Sequence, residues 1–92
     1  MIVRIATEGQ YRVGSDTLDK LNAIDNQLVN IVARGDQAAY DQLLKSMLDL
    51  VRQSGQPVAL TEIVESDLVL PAPDTTLAEA RQLFKGDGLI PD

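Results

Sequence analysis

The chain has 92 residues, 14 of them acidic and 8 basic, for a formal net charge of −6, with 45% hydrophobic and 24% charged content. This is the balance of a globular domain rather than a disordered tail, and the length fits one domain spanning residues 1–92. The acidic surplus counts against nucleic acid, whose binding rests on neutralising phosphates with Lys and Arg, and against adsorption to anionic lipid. Cys and His are both absent, which removes disulfides, thiolate metal sites, a Cys nucleophile and the commonest general base.

Residues 1–6 open with Ile2, Val3, Arg4 and Ile5, a β-rich start, and residues 10–13 read as a second short strand. A three-residue loop of Thr7, Glu8 and Gly9 sets Ile5 opposite Tyr11 and Val3 opposite Val13, placing the apolar pairs on one face, with Gly9 in the left-handed position. The same register sets Arg4 opposite Arg12 on the outer face. In so acidic a chain these two form a cationic spot able to dock acidic groups of a partner, unless Glu8 or another carboxylate pairs with them.

Two amphipathic helices follow over residues 15–55. Leu21, Ile24, Leu28 and Ile31 form an apolar stripe on the first, and Tyr40, Leu43, Met47 and Leu50, widened by Leu44, Leu48 and Val51, form one on the second. A stripe that wide needs two neighbours, and the hairpin is the expected cover. Ser15 or Asp16 is the expected first N-cap, Gly35 the stop, Asp36 the next N-cap and Gly55 the end of the second helix. Asp41 with Lys45 is an i,i+4 pair in the favourable order, worth about 0.3 kcal/mol.

Beyond Gly55, Pro57 prevents helix continuation. Residues 61–64 are too short to classify, and residues 67–70 form a brief apolar run able to add a third strand to the hairpin. Thr76 with Glu79 is a capping-box pattern, and Leu77, Ala80, Leu83 and Phe84 supply one face of a last short helix that Gly86-Asp87-Gly88 ends. The expected fold is α+β: an N-terminal β-hairpin with a short third strand, packed on an antiparallel helix pair, and a short C-terminal helix.

Candidate chemistry is sparse. Gly14-Ser15-Asp16 lies where a helix N-terminus begins, but Asp16 and Asp19 would repel an anion, so capping is the expected role. Glu62, Glu65 and Asp67 cluster closely enough to consider an oxygen-ligand site for a divalent cation, without the spacing of a calcium loop. Asn22, Asn26 and Asn30 form an uncharged strip along the first helix, either a contact surface or a solvated face. Leu89, Ile90 and Pro91 make an apolar end that folds back or docks.

The opening Met1-Ile2-Val3-Arg4-Ile5, Glu8-Gly9-Gln10-Tyr11, then Leu21-Asn22, Asp25 and Gly35-Asp36 together resemble one small family. So do Ser66-Asp67-Leu68-Val69-Leu70-Pro71, Asp74 with Thr76-Leu77, and the ending Gly88-Leu89-Ile90-Pro91. The chain is similar, over nearly its whole length, to the phage-shock-protein-A-associated family, PspAA. That resemblance implies a non-enzymatic accessory protein of the envelope-stress response, without a cofactor, that binds or regulates the coiled-coil, membrane-remodelling protein PspA. The partner would touch the membrane while this chain stays cytoplasmic, since Arg4 and Glu8 break the short apolar start and no run of about 18 apolar residues occurs. Arg4, Tyr11 and Arg12 are the first candidates for the contact surface, and Asn22, Asn26 and Asn30 the second. Competing expectations are a small-ligand or divalent-metal regulatory domain, and a homodimer burying the second helix between protomers.

Overall fold

A computed structural model describes residues 1–83. Phe84, the Gly86-Asp87-Gly88 stop and the Leu89, Ile90, Pro91 end lie outside the described residues. Among the described residues, four strands, β1 (Ile2–Ile5), β2 (Gly9–Arg12), β3 (Gln56–Pro57) and β4 (Leu68–Leu70), and three helices, α1 (Ser15–Arg34), α2 (Gln37–Ser54) and α3 (Leu77–Leu83), follow the expected α+β plan. The sheet runs β3-β2-β1-β4, with β1 antiparallel to β2 and parallel to β4.

The hairpin register differs from the expected one by two residues. Val3 faces Tyr11, Arg4 faces Gln10, Ile5 faces Gly9 and Ile2 faces Arg12, so the loop is Ala6, Thr7 and Glu8. Thr7, not Gly9, takes the left-handed conformation, with φ 68°, and the Glu8 amide donates to the Ile5 carbonyl at 2.9 Å. Side chains alternate with period two, so a two-residue slip leaves every residue on its face. Val3, Ile5 and Val13 are buried as the pattern requires, but Arg4 and Arg12 are no longer opposite one another.

That inner face lies on the helix pair. Leu21, Leu28 and Val32 of α1 and Tyr40, Leu44, Met47, Leu48 and Val51 of α2 join Val3, Ile5, Leu68 and Leu70 in one core, with Leu77 and Ala80 of α3 closing it. Most of the wide α2 stripe is therefore covered within the chain, with Leu43 and Leu50 left half-buried. On α1 the buried line is rotated from the expected one, since Ile24 and Ile31 are only half-buried while Asp25 is fully buried.

Local signals set most boundaries. Gly35 adopts the left-handed C-cap, φ 73° and ψ 28°, and its amide reaches the Ile31 and Val32 carbonyls, a geometry glycine adopts without strain. Asp36 caps α2 through the Ala39 amide at 3.1 Å, and Thr76 and Glu79 form the reciprocal capping box at 3.1 and 3.2 Å. The cap of α1 is Gly14, with no side-chain hydrogen bond. The helix begins a residue early because the Leu18 amide already donates to the Gly14 carbonyl, which places Ser15 and Asp16 inside the first turn. Lys45 pairs forward with Asp49 at 3.2 Å instead of back to Asp41, which accepts from Gln37.

Gly55 sits where chains approach closely: an added Cβ would lie 2.6 Å from the Val51 carbonyl and 3.0 Å from the Tyr11 Cβ. Gly55→Ala is predicted to cost about 1–3 kcal/mol by overpacking, read as a lowered thermal midpoint. Gly14 has nothing within 4 Å of an added Cβ, so Gly14→Ser, which adds a capping hydroxyl, is predicted to gain a few tenths of a kcal/mol. Tyr40 is fully buried and, among the described residues, its hydroxyl has no hydrogen-bond partner. Burial, with smaller contributions from Asp41 and Glu79, pushes its pKa from 10.0 up to about 12. A folded pKa raised in this way stabilises below pH 10 and loses that contribution as pH rises toward 12. Tyr40→Phe is predicted to flatten the alkaline fall in stability over that window, measured by denaturant melts at each pH.

Candidate interaction surface

Alternation along β1 and β2 directs Ile2, Arg4, Gln10 and Arg12 to the sheet face away from the helices. Residues 58–66 leave β3 at one edge of the sheet and reach β4 at the other, crossing this outer face as a strap. Its attachments are specific. The Val58 amide donates to the Gln10 carbonyl at 3.0 Å, and Gln10 Nε2 donates to the Val64 carbonyl at 3.0 Å and to Ser66 Oγ at 2.8 Å. The Arg12 guanidinium meets the Glu62 carboxylate through both terminal nitrogens, a bidentate pairing that fixes orientation as well as distance. At the β4 end the Ile2 amide donates to Asp67 Oδ2 at 2.7 Å, and the Asp67 amide returns to the Ile2 carbonyl at 2.8 Å.

The candidate residues therefore separate. Arg12 is tied to Glu62, which holds the Glu62 carboxyl below its ordinary pKa and pushes Arg12 up. Tyr11 lies on the helix side, packed against the core. Its hydroxyl donates to Glu8 at 3.0 Å, and Glu8 in turn accepts from Arg52 Nε at 2.9 Å. Chiefly through the Arg52 hydrogen bond, Glu8 is held below its ordinary pKa, while burial and then Glu8 raise Tyr11. Arg4 is exposed, lies between Gln10 and Val69 in register, and has no ion-pair partner among the described residues. Of the three hairpin candidates, Arg4 presents its charge outward without an internal carboxylate. Asn26 and Asn30 are exposed, with Asn30 Nδ2 near the Asn26 carbonyl at 3.4 Å; Asn22 is half-buried, which breaks the strip.

Leu60 and Ile63 at the crest of the strap were not among the sequence candidates, and they are 100% and 98% exposed. With Arg4, Gln10 and Val64 they line a cleft of about 380 Å³. The available signal was apolar content in residues 58–64 without helix or strand periodicity. Glu62, Glu65 and Asp67 do not assemble a cation site: Glu62 turns to Arg12 and Asp67 to the Ile2 amide, and among the described residues no group of three acidic side chains is placed to hold a metal.

The Arg12 and Glu62 pair gives a test of the strap. Glu62→Gln is predicted to speed limited proteolysis within residues 58–66 with little change in thermal midpoint; an unchanged cleavage rate contradicts the role of the pair. Because the Glu62 pKa is depressed, the native strap keeps its anchor above the ordinary carboxylate range and loses it as pH falls through the depressed value.

Among the described residues no helix is long and apolar enough to cross a membrane. No curated protein and no solved structure matches the chain significantly. A family model described as PspA-Associated protein matches residues 1–92, and on that full-length match the chain belongs to the PspAA family.

Proposed function

We propose that the chain is a non-enzymatic accessory protein that binds or regulates a PspA-like coiled-coil protein in an envelope-stress system, from the cytoplasmic side of the membrane. The observation that carries this reading is the family match across the whole chain. The geometry is compatible with it: the outer sheet face combines an outward cation with apolar side chains, the mixture by which protein surfaces dock. The metal-regulatory alternative has less support, because two of its three carboxylates are engaged internally.

Purified chain titrated with purified PspA from the same source is predicted to form a saturable complex, and the tagged chain is predicted to recover PspA from native cytosol. Absence of a complex in both formats contradicts the reading. Added divalent ions are predicted to leave the thermal midpoint unchanged; a concentration-dependent rise would favour the metal alternative, since a ligand that binds only the folded state stabilises it.

A further inference from the structure

We infer that the groove between α1 and α2, on the side turned away from the sheet, receives one helix of a partner protein. That helix carries an aliphatic side chain at every seventh position and no charge on its contact face. The inference goes beyond the adaptor reading and does not depend on it. Two clefts lie along the groove, of about 540 and 280 Å³, and among the described residues both are lined by α1 and α2 alone. Ile24 and Leu50 line the first, Ile31 and Leu43 the second, and Ser46 lines both, so the two form one continuous trough. The four aliphatic side chains pack on the core and remain only half-buried. Ser46 is exposed, and its hydroxyl donates back to the Gln42 carbonyl at 3.1 Å. The midpoint of the trough is therefore small, with its donor already satisfied within the helix.

Spacing selects the occupant. Ile24 and Ile31 are seven residues apart on α1, and Leu43 and Leu50 are seven apart on α2, so the clefts repeat at about 10.5 Å along the groove. A helix lying in the groove repeats its side chains at the same seven-residue step, as knobs enter holes in a coiled coil. An extended strand misses this interval, because side chains on one of its faces recur at about 6.7 and 13 Å. A polyproline helix recurs at about 9.3 Å, but it docks on aromatic-lined grooves, and among the described residues no aromatic side chain lines either cleft. A second copy of this face does not fit either. The large exposed hydrophobic side chains among the described residues, Met1, Leu60, Ile63 and Val69, all lie outside α1 and α2. The face thus offers recesses without projecting apolar side chains, whereas an isologous interface must supply both from one surface. Charge is depleted here in a chain of 24% charged residues. Lys20 and Asp49 are the charged residues of the lining, opposite in sign and both in the first cleft, and Asp49 already pairs with Lys45 and Arg52. Such depletion is the compositional mark of an interface core, and one lysine does not hold an anionic membrane, which is attached by clusters of cations.

The test uses the full chain and a synthetic helical peptide of about 20 residues, long enough to hold a helix. The peptide has leucine at every seventh position, Ala and Gln between them on that face, and balanced charges on the far side. A control peptide has the same composition with the leucines unequally spaced. Ser46→Trp plugs the trough at its midpoint and Ser46→Ala leaves it open; both change an exposed helical position, and thermal melts confirm the fold. The regular peptide is expected to bind the native chain and Ser46→Ala alike, and to weaken at least about tenfold with Ser46→Trp or with irregular spacing. Its affinity is expected to change less than about twofold between 0.1 and 1 M salt, because an uncharged contact is not screened. No binding, equal binding of the two peptides, or binding that survives Ser46→Trp overturns the inference. Self-association of the chain, or uptake by neutral lipid vesicles in place of the peptide, that disappears with Ser46→Trp overturns the proposed occupant. Titration with PspA separates this inference from the adaptor reading. Loss of the peptide with PspA binding undiminished supports a groove distinct from the outer sheet face, whereas loss of both places PspA in the groove and overturns the sheet-face contact alone. PspA that binds neither native chain nor variants overturns the adaptor reading and leaves the groove to the peptide result.

Discussion

The alternation of side chains along β1 is the constraint on which the rest of the molecule depends. Val3 and Ile5 must enter the core beneath the sheet, and that requirement sends Arg4 to the opposite face. β2 obeys the same rule, with Tyr11 inward against the core and Gln10 and Arg12 outward, and these outward groups then become the anchors of the strap. Burial on one side of β1 and β4 thus dictates the chemistry on the other. The helix pair makes this possible by offering an apolar surface broad enough for the whole inner face, from Tyr40 at one end of α2 to Val51 at the other.

A second fixed point lies at the hairpin turn. Glu8 receives the Arg52 guanidinium from the last turn of α2, and Arg52 also reaches Asp49 at 3.1 Å. Each of these pairs is partly exposed, so its contribution to stability is modest, but together with Gly55 they hold the turn against the helix end. The two arginine pairs have different consequences. Arg52 joins the sheet to the helices, and Arg12 joins the strap to the sheet, leaving Arg4 as the outward charge of the hairpin.

Elements with strong periodicity or a cap were legible in the sequence: both long helices, the Gly35 stop, the Asp36 cap and the Thr76 capping box. The face assignment of the hairpin was legible too, but its register was not, because a slip of two residues preserves every inward and outward position. Thr7 in a left-handed conformation gave no compositional sign of itself. β3, two residues ending in Pro57, is too short for any pattern, and the parallel placement of β4 against β1 is a long-range choice that local sequence does not encode. The proposed contact surface was half visible. Arg4 could be named from its strand position, but the partner of Arg12 lies fifty residues away at Glu62, and the exposure of Leu60 and Ile63 follows from the path of a strap that carries no secondary structure.

Membership of the PspAA family associates the chain with PspA, and the outer sheet face is the contact surface proposed for that partner. The most direct measurement is an amide and methyl chemical-shift map of isotope-labelled chain titrated with unlabelled PspA. The account predicts that the largest changes fall on Arg4, Leu60, Ile63 and Val69 while the buried core is unperturbed. Changes centred instead on Asn26 and Asn30 of α1, with the strap silent, would contradict it.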